Sequence, residues 1–158
     1  MTWAEIMLAM LPALAPVDAS RIASLSVKYA QMHHLPPALV LAISYTESKW
    51  GTNTKHPSPK DHGVMGLRVD HDTLPDYQGR ERELDDLETN IRLGVEALVY
   101  WQGFHRSHCP APKGLHPWVS HYQWGNKVGT SESGLRVERI VRSLNRARRN
   151  HGRAPRTR

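Results

Sequence analysis

Residues 38–47 read ALVLAISYTE, a stretch whose apolar side chains fall on every side of a helix rather than along one stripe. A helix of that kind has no face to turn to water, so it lies inside a protein and other elements must wrap it. Pro36 and Pro37 stand just before it, where proline suits a first helical turn because its missing N–H has no partner there in any case. Trp50-Gly51 ends it. The remaining residues must supply the wrapping, and 158 residues suffice for one domain with a sizeable core but not for two.

The wrapping reads as helical. Ile22, Leu25, Tyr29 and Met32 recur at helical spacing, which predicts an amphipathic helix over 19–33 with Asp18 as its N-cap. Asp85-x-x-Glu88 makes a capping box for a helix whose stripe is Leu87, Ile91, Val95 and Leu98 and which runs to about Phe104. Pro117 opens a short helix through Trp124, and Val137, Ile140, Val141 and Leu144 mark a last one. Residues 51–84 contain Pro57, Pro59, Gly63, Gly66, Pro75 and Gly79 and hold no helical period, so they form a long loop or a small irregular sheet region. The segment TWAEIMLAMLPALAPVDAS has no Lys or Arg and carries Glu5, which makes it an ordinary helix rather than a secretory signal. No stretch reaches the ~20 apolar residues of a membrane span. The expectation is a mostly α single domain over 1–150 with a basic, disordered tail over 151–158.

Charge is unevenly spread. Of 21 Lys+Arg and 15 Asp+Glu, the segment from Arg136 to Arg158 holds nine Arg and one acid, Glu138, leaving 12 basic and 14 acidic residues in the rest. A near-neutral body thus carries a cationic C-terminal segment, with Arg136, Arg139, Arg142, Arg146 and Arg149 at helical spacing. Such a face is either simply solvated or binds polyanions. No recognition-helix pair, zinc finger or aromatic sheet motif accompanies it, so specific nucleic-acid binding is not expected. Cys109, the single cysteine, cannot form an internal disulfide and leaves the compartment open. The run His105-x-x-His108-Cys109, with His116 and His121 after it, lacks the paired spacing of most zinc sites, and no metal is expected.

Glu47 closes the apolar helix, at i+4 from Ile43 and i+8 from Leu39. Lost water and the negative end of the helix dipole both disfavour its charge, so its pKa should be raised, as a general acid at neutral pH requires. The alternative is a helix-end Glu that reaches solvent or pairs with Lys49.

The nonapeptide Ala42-Ile43-Ser44-Tyr45-Thr46-Glu47-Ser48-Lys49-Trp50 resembles the Ala-Ile-x-x-x-Glu-Ser-x-aromatic signature of the soluble lytic transglycosylases, whose catalytic domains are lysozyme-like. Other elements follow in the family's order. YAQMHHLPPALVLAIS is similar to its paired first helices, DHGVMGL to its glycine-rich Gly-Leu-Met-Gln region, DLETNIRLGVEAL to its Asn-Ile-x-x-Gly helix through Asn90, Ile91 and Gly94, and HYQWGN to its Ala-Tyr-Asn-x-Gly element through Tyr122 and Gly125. The resemblance covers about residues 25–145. It implies cleavage of the β-1,4 bond between N-acetylmuramic acid and N-acetylglucosamine in peptidoglycan, with Glu47 as the single acid and base, a 1,6-anhydro product and no cofactor. It also implies support by Ser48, a Tyr122 hydroxyl near Glu47, and a sugar platform at Met65 to which Gly63 and Gly66 give close access.

Two positions depart from the family. Gly66 or Val69 stands where its loop Gln would be, and Gln123 stands where its Tyr-Asn pair has Asn. Gln123 keeps a polar contact of different reach. Trp50 and Trp124 flank the two elements and are placed either along the glycan cleft or in the core. Two rival readings remain: a water-using muramidase with Asp61, Asp70 or Asp72 as second carboxylate, and an inactive protein that binds the wall or other polyanions. The expected partners are peptidoglycan strands and, through the arginine face, anionic envelope polymers, with the chain a monomer. Acting on the wall without a convincing signal peptide fits a phage-derived enzyme.

Overall fold

The computed structural model describes residues 1–53, 60–69, 77–109, 115–125 and 132–151. Its first helix, α1 (Trp3–Met10), starts at a reciprocal cap in which the Thr2 hydroxyl accepts from the Glu5 N–H and the Glu5 carboxylate accepts from the Thr2 N–H. α2 (Pro16–Met32) begins earlier than the sequence pattern suggests. Pro16 supplies the preset φ of a first turn, and Asp18 lies inside that turn, where its charge meets the positive end of the helix, instead of capping it. The buried face is Ala19, Ile22, Ala23, Ser26, Tyr29 and Ala30, and Met32 is exposed. At 100° per residue Met32 has turned well away from the centre of that face.

α3 (Pro37–Ser48) is the apolar segment, and every residue from Ala38 to Ser44 is buried. Complete burial of Leu39, Leu41 and Ile43 stabilises the fold by about 1.5–3 kcal/mol each. The helix stops in three successive left-handed residues, Lys49 (φ 49°), Trp50 (φ 56°) and Gly51 (φ 81°). Only the glycine takes that conformation freely; each of the other two costs about 1–2 kcal/mol. Burial of the Trp50 indole, which donates to the Leu41 carbonyl at 2.8 Å and lies against Tyr45, offsets the cost.

Next come two short strands, β1 (Asp61–His62) and β2 (Leu67–Arg68), paired antiparallel with Asp61 opposite Arg68. α4 (Glu81–Leu84) leads into α5 (Leu87–His108). The α5 cap is Asp86, which accepts from the Thr89 N–H at 2.8 Å, rather than Asp85. Asp85 still has helical dihedrals at the end of α4, whereas Asp86 is extended, as a cap must be. Glu88 pairs instead with Lys28 and Tyr29 of α2. α6 (Leu115–Trp124) and α7 (Glu132–His151) complete the fold. α7 buries Val137, Ile140, Val141 and Leu144 and packs along α3 and α6. The result is mostly α, with one small sheet in the glycine-containing region. None of the described helices is long and apolar enough to cross a membrane. Residues 152–158 of the expected tail lie outside the described residues.

Asn90, fully buried on α5, ties the hairpin to the helical body. Its Oδ1 accepts from the Met65 N–H at 2.8 Å, and its Nδ2 donates to the carbonyls of His62 at 3.0 Å and Leu84 at 2.9 Å. Gly63 makes room for that amide: at φ 67°, a Cβ there would lie 2.1 Å from Asn90 Nδ2. Asn90→Ala strands one donor and two carbonyls, so we expect urea unfolding to show a loss of about 3 kcal/mol. A loss below about 0.5 kcal/mol would show that the hairpin does not depend on this amide.

Candidate active site

Glu47 occupies the last turn of α3, part-buried, where the hairpin, α6 and α7 approach it. Gly66 of the hairpin lies against its side chain. A Cβ at position 66 would stand 2.9 Å from Glu47 Oε2 and 3.0 Å from Glu47 Cβ, and the φ of 60° is one that side chains rarely adopt. From α6, Gln123 Nε2 donates to Glu47 Oε1. Asp61 on β1 and Arg136 on α7 act on it through their charges.

These influences oppose one another. Burial raises the Glu47 pKa most, the Gln123 hydrogen bond lowers it by stabilising the carboxylate, the Asp61 charge raises it and the Arg136 charge lowers it. The net result is a pKa moved from 4.5 to about 7. A carboxyl so placed is divided between acid and base near neutral pH and can both give and take a proton.

The other residues singled out from sequence hold the site together rather than line it. Ser48 is buried; its single O–H lies 2.8 Å from the Val64 carbonyl and 3.1 Å from the Ser44 carbonyl and is shared between them, and its oxygen accepts from the Gly51 N–H at 2.9 Å. It therefore fastens the end of α3 to the hairpin. The Tyr122 hydroxyl does not bond Glu47; it donates to the Met65 carbonyl at 2.8 Å, and burial together with the nearby Glu47 charge raises its pKa well above the usual value. The Met65 side chain, expected at a sugar platform, is not at the surface. It is fully buried against Gly94, where a Cβ would lie 2.7 Å from Met65 Cγ, and only the Met65 backbone serves the site. Trp50 is likewise a core residue, with 1% of its surface exposed, because its indole packs back onto α3. The side chain of Trp124, together with Asp70 and Asp72, lies outside the described residues.

Asn90 and Gly94 are the supports to which reading single residues assigned no role. Their signal was a buried amide and a glycine four residues apart on an otherwise apolar helix face. Along α7, Arg136, Arg139, Arg142, Arg146 and Arg149 are all exposed, and Arg142 pairs with Glu138.

A raised carboxyl pKa makes stability depend on pH. In the unfolded chain Glu47 ionises near 4.5, whereas in the folded chain it stays protonated up to about 7. Its favourable contribution is therefore complete below pH 4.5 and is lost as the pH rises to about 7. Glu47→Gln should match the wild type near pH 4 and exceed it at pH 8, by at most about 3 kcal/mol. Urea unfolding at the two pH values measures this, and an equal difference at both would contradict the shifted pKa.

No curated protein and no solved structure matches the chain. A family model, the transglycosylase SLT domain, matches residues 24–104, which is half of the chain. The matched region runs from α2 through α3 and the hairpin into α5, so it includes Glu47, Ser48, Gly66 and Asn90 and stops before Tyr122 and Gln123 on α6. With that match laid over a mostly α fold that buries one glutamate at the end of its central helix, the chain belongs to the SLT transglycosylase family.

Proposed function

We propose that this SLT domain cleaves the β-1,4 bond between N-acetylmuramic acid and N-acetylglucosamine in peptidoglycan, with Glu47 as sole acid and base. The observation that carries the proposal is the placement of the Glu47 carboxyl against Gly66 and Gln123 at the meeting of α3, the hairpin and α6, where burial pushes its pKa up to about 7. In the first step the protonated Glu47 gives its proton to the glycosidic oxygen, and the C1–O bond breaks. The substrate's own N-acetyl group stabilises the oxocarbenium-like centre, so no enzyme nucleophile is needed. Glu47, now a carboxylate, takes the proton from the muramic C6 hydroxyl, whose oxygen closes on C1. The 1,6-anhydro ring forms, the proton is back on Glu47 and no water is consumed.

Gln123 supports both halves of the cycle. Its N–H holds one carboxylate oxygen in place and favours the ionised form that the second step requires. Gly66 keeps the hairpin backbone close to the carboxyl. The exposed arginines of α7, among them Arg136, whose charge acts on Glu47, would hold the enzyme on anionic wall polymers.

Asp61 favours a second reading. Its negative charge reaches Glu47, as that of a second carboxylate would in a hydrolase that positions water. Mass spectrometry of muropeptides released from purified sacculi separates the two. Wild type should release anhydro-muropeptides, and Glu47→Gln should release them at least about 100-fold more slowly. Reducing-end products would instead show a hydrolase, with Asp61 the candidate second carboxylate. Silence from the wild type would leave a wall-binding protein, whose retention on sacculi would fall as salt is raised.

A further inference from the structure

Three side chains converge at the C-terminal end of α5, away from Glu47. His105 and Cys109 stand one helical turn apart there, and His121 reaches them from α6. His105 Nδ1 lies 3.1 Å from His121 Nε2, Cys109 Sγ lies 3.6 Å from the same nitrogen, and the three donor atoms are all within 4.8 Å of one another. With bonds of about 2.0 Å to nitrogen and 2.3 Å to sulfur, a tetrahedral zinc ion sets nitrogen–nitrogen edges near ~3.3 Å and nitrogen–sulfur edges near ~3.6 Å. Both edges that meet at His121 have these lengths within about 0.2 Å.

The orientation of His121 points the same way. Its Nδ1 lies 2.7 Å from the Gly125 carbonyl, and a carbonyl only accepts, so the proton is on Nδ1 and the lone pair of Nε2 faces His105 and Cys109. An imidazole fixed by a backbone carbonyl in this way is the usual arrangement behind a metal-bound histidine. The ring is also clamped, stacked on Trp101 at 5.7 Å with its edge relation to Phe104 at 5.4 Å. Without an ion, the His105 ring and the Cys109 thiol both aim at one lone pair, which can accept only one good hydrogen bond. Cys109 is 7% exposed and His121 1%, whereas His105 is half-buried and forms the open side.

We propose that His105, Cys109 and His121 bind one zinc-type divalent ion through two imidazole nitrogens and a thiolate. Two nitrogens and one sulfur suit zinc and not magnesium or calcium, which prefer oxygen. On binding, the Cys109 thiol gives its proton to solvent and the neutral imidazoles keep theirs on the nitrogen away from the metal. His108, which the sequence spacing would also offer, bonds the Phe104 carbonyl and stacks on the Phe104 ring instead. The ion would join the end of α5 to α6 at the residue just before Tyr122 and Gln123. With water completing the fourth position on the open side, the ion would act as a clasp on the helix that grips the hairpin and Glu47.

Cobalt(II) as probe tests the site in the full chain without reference to activity. After treatment with a chelator, titration with Co²⁺ should give a thiolate-to-cobalt charge-transfer band that saturates at one equivalent and disappears on adding one equivalent of Zn²⁺. Cys109→Ser should abolish the band, and His105→Asn, on the open side, should weaken binding at least tenfold while circular dichroism stays native. A folded wild-type chain with no such band would overturn the proposal. So would Co²⁺ binding that Cys109→Ser leaves unchanged, since the ion would then be held by other histidines.

Discussion

A carboxylate at the end of a buried helix is opposed twice, by the water it loses and by the negative pole of the helix itself. The chain accepts both costs at Glu47 and surrounds them with partial compensation. Gln123 gives one hydrogen bond and Arg136 a distant positive charge, while Asp61 adds a negative one. Burial outweighs the compensation, and the carboxyl retains its proton to about pH 7. Full compensation, such as a direct arginine pair, would have held the group ionised and useless as an acid.

That balance requires the hairpin to stay close, and a set of polar contacts from three helices holds it there. Asn90 takes the Met65 N–H and the His62 carbonyl, Tyr122 takes the Met65 carbonyl, and Ser48 takes the Val64 carbonyl. The Met65 side chain then plugs the space that Gly94 leaves on α5. Three hairpin residues, His62, Val64 and Met65, are therefore held to three helices through their backbones. Strand pairing of only two residues on each side has no comparable strength of its own.

The helices were legible in sequence because burial follows periodicity. The all-round apolarity of residues 38–47 marked α3 as a buried helix, and the Leu87, Ile91, Val95 and Leu98 stripe marked the apolar face of α5, which packs on α2 and α6. Ends were less legible: Pro16 displaced Asp18 and Asp86 displaced Asp85, since caps depend on dihedrals set by the preceding chain. Glu47 was legible as a carboxyl misplaced on an apolar helix. The meaning of Met65 and Trp50 was not. A large side chain beside a motif reads equally as platform or as core, and only packing against Gly94 and Leu41 separates the two. The bond between Gln123 and Glu47 joins positions far apart in the chain and has no local signal at all.

Direct titration of Glu47 tests the central claim. With the glutamate side-chain carbonyl carbons labelled, ¹³C NMR follows this group through pH in the folded protein, Glu47→Gln assigning its resonance. The midpoint should fall near 7 in the wild type and move higher in Gln123→Leu, because the lost hydrogen bond is one that favours the carboxylate. A wild-type midpoint near the ordinary 4.5, or a downward move in Gln123→Leu, would contradict the account of how burial prepares this acid.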